Sequence, residues 1–85
     1  MSTAAEKRHM GRVAELGCII CNEPAQVHHI RDGQGMSQRA SNWLVIPLCP
    51  GHHIGALSVH KTAKQFANIY GSELELLAAT LEKLA

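Results

Sequence analysis

Apolar residues recur at helical spacing near both ends of the chain and in short β-branched runs near its middle. The pattern predicts a helix over residues 3–16. Thr3 can cap its N-terminus, Glu6 stands where a capping box needs it, and Met10, Val13, Ala14 and Leu16 give a short apolar stripe that Gly17 ends. Ala25 to Ile30 (AQVHHI) is a short strand candidate. Arg31 to Ser41 is polar, holds two glycines and reads as a loop. Trp43 to Ile46 (WLVI) is a second strand, which Pro47 confines to an edge or ends early. Leu48 to His53 is expected to turn, and Ile54 to Val59, with Gly55 inside it, to be irregular. Thr62 to Tyr70 carries Ala63, Phe66, Ala67 and Tyr70 at helical spacing, and Gly71 follows. Ser72 and Glu75 frame a second capping box. After it, Leu74, Leu77, Ala78, Leu81 and Leu84 form the expected apolar face of a last helix, a packing strut or an interface.

Composition sharpens this outline. With 85 residues the chain is expected to be one domain, 1–85, whose core is marginal without a staple. Three cysteines cannot all pair in disulfides, whereas six histidines are a heavy load for this length. No apolar run is long enough to cross a bilayer, and no hydrophobic segment follows the first residues as in a secretory signal. Closely spaced cysteines in a reducing cytoplasm usually bind metal. The formal net charge is only +1, so the chain is not a strongly basic nucleic-acid binder. The cations are grouped, however. Lys7, Arg8 and Arg12 lie in the first helix, and Arg31 and Arg39 flank the glycine-bearing loop.

Cys18-x-x-Cys21 and Cys49-x-x-His52 each present two metal ligands across a tight turn. Together they form a Cys₃His set, one of the closed tetrahedral zinc sets. A two-residue spacer lets both side chains of a knuckle converge on one ion. The plain alternative is reduced cysteines packed in a small core, but every cysteine of the chain is used in the set. Four protein ligands leave no position for water, so this zinc is expected to be structural and its binding energy to count as folding energy.

His28, His29, His53 and His60 remain, with His9 isolated. Phosphodiester hydrolysis divides labour among such residues. Some hold a cation that neutralises charge developing on phosphate. Another stays off the metal and takes a proton from water, for which a neutral imidazole suits physiological pH. His53 directly follows the zinc ligand His52. His60 is the best third ligand. In one continuous helix it would stand about 10 Å from His53 along the axis, so Gly55 must open a loop that returns it. Two histidines at helical i, i+4 spacing would need one at position 57, which is Leu57. Arg31 or Arg39 could clamp neighbouring phosphates with its guanidinium fork.

Cys18-x-x-Cys21, Val27-His28-His29-Ile30 and Leu48-Cys49-Pro50-Gly51-His52-His53 resemble the zinc-knuckle branch of the HNH endonucleases. HHIRDG, SNWLVIPLCPGHH, the later His60 and the Phe66…Tyr70-Gly71 segment are similar, more narrowly, to phage recombination-enhancement nucleases that act with RecA. The resemblance covers roughly residues 16–71. It implies an α+β protein. A ββα-metal (His-Me finger) core with structural zinc spans 17–60, a helix precedes it, and C-terminal helices occupy 61–85. It makes His29 the general base, His28, His53 and His60 the catalytic metal ligands, and Asn42 the residue that orients the base. In many members that Asn lies five residues before the Cys; here Leu44 stands there and Asn42 lies seven before.

The expectation is a one-metal DNA endonuclease that leaves 5′-phosphate and 3′-hydroxyl ends and has weak sequence preference, since backbone contacts carry no sequence information. Its cofactors are structural Zn²⁺ and a second divalent ion, Zn²⁺, Mg²⁺, Mn²⁺ or Ni²⁺, because nitrogen-rich sites take what is available. Its partners are DNA and, by the resemblance alone, a RecA filament, with no membrane, in a phage- or prophage-encoded cytoplasmic protein. Two other readings compete. A non-catalytic zinc module binding nucleic acid or a partner would need only Cys18, Cys21, Cys49 and His52. A structural phage protein oligomerising through its last helix would leave the histidines unexplained.

Overall fold

Thr3 opens the first element as expected. Its Oγ1 accepts the Glu6 amide at 3.1 Å and its own N–H donates to Glu6 Oε1 at 2.7 Å, which closes the capping box of helix α1, Ala4–Glu15. The chain then turns left-handed at Gly17, φ +80°, where a Cβ would sit 3.0 Å from the Asn22 carbonyl oxygen. In the computed structural model, which describes residues 2–31 and 40–85, the following elements are β1 (Gln26–His29), β2 (Val45–Leu48), α2 (Pro50–Ile54), α3 (Ala63–Tyr70) and α4 (Glu73–Leu84). The architecture is α+β: one two-stranded antiparallel sheet flanked by helices.

The hairpin register pairs Gln26 with Leu48, Val27 with Pro47, His28 with Ile46 and His29 with Val45. The second strand thus begins two residues later than the WLVI pattern suggests, and it runs through Pro47. A two-stranded sheet leaves each strand an open edge, so a proline costs no ladder bond on that side. Pro47 is fully buried, and its carbonyl accepts the Ile19 amide at 2.9 Å, which ties the Cys18–Cys21 turn to β2. All four β2 residues are buried, with α1 and α4 packed against the strand. Trp43 and Leu44, read as strand, are instead exposed in the turn before it.

Leu48–His53, expected as a turn, contains a short helix. Cys49 is its N-cap and Pro50 occupies its first turn, where the missing N–H is no loss. The last helix has the expected capping box and buries Leu77 as expected, but its inward face is rotated away from the rest of the expected stripe. Leu76, Leu77 and Thr80 point inward, whereas Leu74 and Leu81 stay about half exposed. Glu73 explains the rotation. Its carboxylate bonds to β1 and to Arg31, and Glu73, Leu76, Leu77 and Thr80 share one face at i, i+3, i+4 and i+7. The core joins Ile30, Ile46, Leu48, Phe66, Leu76 and Leu77 to Cys18 and Cys49. Each large apolar side chain buried there contributes about 1.5–3 kcal/mol.

Candidate metal centres and histidine site

The two knuckles meet. Cys18 Sγ and Cys21 Sγ each lie 3.7 Å from His52 Nδ1, Cys21 Sγ lies 3.7 Å from Cys49 Sγ, and Cys49 Sγ lies 3.2 Å from His52 Nδ1. Donors at zinc–sulfur and zinc–nitrogen bond lengths occupy tetrahedron corners roughly 3.5–3.8 Å apart, so the spacing fits one zinc ion. Local backbone builds the set. The Cys18 amide donates to the Glu23 carbonyl at 2.8 Å and Asn22 to the Cys18 carbonyl at 2.8 Å, while His52 and His53 both donate to the Cys49 carbonyl. Burial pushes the Cys18 thiol up, but backbone N–H groups of Cys49, Ile20 and Cys21 aimed at its sulfur outweigh it and bring the pKa down to about 7. Cys21 moves the other way. The Glu23 N–H favours its thiolate, yet burial and the neighbouring Cys49 and Cys18 sulfurs raise it. A thiolate on Cys18 thus opposes ionisation of Cys21, and a cation between the two would relieve that opposition. None of the three cysteines is in a disulfide.

The second cluster lies one residue away. His28 from β1, His53 from α2 and His60 from the segment after α2 offer nitrogens within 4.8 Å of one another. His53 Nε2 and His60 Nε2 are 3.0 Å apart, near the roughly 3.3 Å edge that two imidazoles on one ion would show. Gly55 makes this possible. A Cβ there would lie 2.3 Å from the Gly51 carbonyl oxygen, so only glycine ends α2 this tightly. The chain then doubles back, with Val59 donating to the His52 carbonyl at 2.9 Å and His60 to the His53 carbonyl at 3.3 Å. Buried Ser58 pins the return through bonds to Lys61 and Thr62.

Partners fix the nitrogens on offer. Gln26 Oε1, an acceptor, lies 2.7 Å from His53 Nδ1, so His53 donates there and presents Nε2. Glu73 Oε2 accepts from His28 Nε2 at 2.5 Å. Burial holds His28 below its ordinary pKa although Glu73 pulls upward, and burial with the neighbouring His28 and His60 does the same to His53. Both are therefore neutral at pH 7, the form that binds metal.

His29 alternates to the other face of β1. Its Nε2 lies 2.8 Å from Asn42 Oδ1, and Asn42 Nδ2 donates to Ser2 Oγ at 3.1 Å and Glu6 Oε2 at 3.4 Å. The carboxylate can only accept, which sets the amide orientation. Oδ1 then takes a proton from His29 Nε2 and leaves Nδ1 with the lone pair. None of the ring contacts among His28, His53 and His60 involves His29.

Of the two expected phosphate clamps, Arg31 is exposed and its amide donates to Glu73 Oε1 at 3.0 Å; Arg39 lies outside the described residues. Neither Gln26 nor Glu73 is marked as a site residue by the sequence, and Glu6 is marked only as a helix cap. Only Glu6 carried a signal, its capping box, and that signal points to helix geometry. His9 is not part of either cluster. It packs at a tilt against Trp43, ring centroids 5.1 Å apart, with its Nε2 3.1 Å from the Trp43 carbonyl oxygen. A cavity of about 220 Å³ adjoins the second cluster, with His28, His60 and Glu73 in its lining. No helix among the described residues is long and apolar enough to cross a membrane.

Against known proteins, the chain is 38% identical over 69 residues to the Escherichia coli (strain K12) protein named Uncharacterized protein YdfU. That match takes in 78% of this chain and 19% of the relative, so the chain spans about a fifth of its length. A family model described as protein of unknown function (DUF968) matches residues 2–85, and the chain belongs to that family.

Proposed function

We propose that this protein is a metal-dependent DNA endonuclease of the HNH type, with β1, β2 and α2 as its ββα-metal core. The convergence of His28, His53 and His60 beside a closed Cys₃His set carries this reading. A structural zinc has no use for three further histidines, whereas hydrolysis of a phosphodiester does. A divalent ion held by these three would supply positive charge to the scissile phosphate and to the oxygen that leaves.

The chain's own residues supply the rest. Asn42 holds His29 in the tautomer whose Nδ1 accepts a proton. His29 takes that proton from water as the water oxygen bonds to phosphorus. The bond from phosphorus to the 3′-oxygen breaks, and the leaving oxygen gains a proton from solvent. Because alternation separates the rings of His28 and His29, the DNA strand must cross the end of β1 to meet both. Arg31, exposed at that end, offers the phosphates a guanidinium fork. A RecA filament as partner rests on the sequence resemblance alone.

A non-catalytic zinc module is the second reading, and the same alternation favours it. The test is nicking of supercoiled plasmid by purified protein, with His29→Ala and His53→Ala beside it. His29→Ala is expected to lose cleavage and keep DNA binding and two ions per chain; His53→Ala is expected to lose the second ion as well. One ion per wild-type chain and no nicking with any divalent metal would establish the module instead.

A further inference from the structure

The cavity beside the histidine cluster has an apolar lining that the hydrolytic chemistry does not need. Val59, Ala63, Phe66 and Ala67 supply apolar wall, while His28 and His60, two of the three converging histidines, also line it. Arg31 and Glu73 add one cation and one carboxylate. Its volume, about 220 Å³, falls below the range of about 300–1,000 Å³ typical of drug-sized ligand sites. It has room for one planar heterocycle and not for a base pair.

We propose that this cavity receives a single nucleobase adjoining the scissile phosphate, so that the strand being cut is unpaired at that point. The inference rests on the nuclease reading. A phosphate drawn to an ion on His28 and His60 carries its nucleoside within reach of a cavity that the same two residues line. The apolar wall takes the ring faces, and Arg31 beside it suits the phosphate. A base stacked inside a duplex cannot enter without leaving the stack, which costs a few kcal/mol and least where the base is already unpaired. The substrate class is therefore single-stranded, frayed or mismatched DNA.

Filling the cavity tests this. Ala63 is exposed on α3 and lines the cavity, so Ala63→Phe blocks it at a helix position that tolerates bulk. Ala67→Leu is the second variant, in case the first folds poorly. On wild-type protein loaded with Mn²⁺, cleavage of a single-stranded oligonucleotide is expected to exceed that of the same sequence fully paired at least tenfold in kcat/KM. Both variants are expected to raise KM for the single strand at least tenfold, with ion content and melting temperature unchanged. Deoxyadenosine 5′-monophosphate added to Zn²⁺-loaded wild type is expected to shift the Ala63 and Ala67 methyl resonances. Folded variants that cut single strands as wild type does, together with no methyl shifts, would overturn the proposal and leave the nuclease intact. Methyl shifts that follow protein concentration without nucleotide would overturn it in favour of a second copy. No cleavage of either substrate with any metal would instead remove the nuclease reading on which it stands.

Discussion

The clustered histidines are set as much by their neighbours as by their own positions. Gln26 fixes the His53 tautomer through Nδ1 and Glu73 holds His28 Nε2. Outer partners of this kind typically change metal affinity 10- to 100-fold when removed. Gln26→Ala is accordingly expected to weaken the ion at His28, His53 and His60 by about that factor and to leave the Cys₃His ion in place, as read by chelator competition. The pH dependence follows from the same residues. His28 and His53 are held below their ordinary value of 6.5, so below about pH 6.5 the unfolded chain binds more protons than the folded one. Stability therefore rises with pH through that region, and protein that keeps its Cys₃His zinc but carries no ion on His28, His53 and His60 is expected to lose stability as pH falls below it; a denaturation midpoint that improves on acidification would contradict this. The residues of the two clusters were legible from spacing, because a two-residue gap and adjacent histidines are local patterns. Their outer partners were not. Glu73 stands 45 residues from His28 and Gln26 stands 27 from His53, and no local pattern couples such positions.

Elements bring those residues together by ending where they do. The capping boxes at Thr3 and Ser72 and the glycines at 17 and 71 marked α1, α3 and α4 correctly, since caps are local chemistry. Elements whose identity depends on partners depart from the sequence pattern. WLVI reads as a strand, yet pairing with β1 shifts the strand to Val45–Leu48 and leaves Trp43 and Leu44 in solvent. Leucine spacing in α4 admits two neighbouring faces, and the bonds from Glu73 select the one with Leu76, Leu77 and Thr80. The return of His60 to His53 required a break at Gly55, which the sequence did signal. Gly55→Ala is expected to cost about 1–3 kcal/mol, because its Cβ meets backbone that cannot rotate away. It should also halve ion content to one per chain by displacing His60. Thermal melting with elemental analysis measures both, and wild-type values would show that the turn does not position the site.

At the scale of the molecule, a chain of 85 residues stands on a small core and a metal-shaped staple. The Cys₃His set ties the turn before β1 to the turn after β2, so an ion there closes the hairpin at both its outer ends. Cys18 and Cys49 belong to the apolar core as well. Removal of zinc by a strong chelator, or Cys49→Ser, is therefore expected to unfold the domain cooperatively rather than merely open one end. Circular dichroism during chelation follows this, and retention of helix content would show that the core suffices without metal. The histidine cluster adds a second, unlike demand. On the proposed reading it would contribute three protein ligands where the zinc set would contribute four, and three would leave a coordination position open to substrate.

That difference leads to the central measurement: conversion of supercoiled plasmid to nicked circles by protein stripped of its second ion and then given Mg²⁺, Mn²⁺, Ni²⁺ or Zn²⁺ in turn. Nicking is expected to depend on the added ion, to vanish in His29→Ala and to leave 5′-phosphate ends. Nicking without added metal, nicking retained in His29→Ala, or intact plasmid under every ion would contradict it.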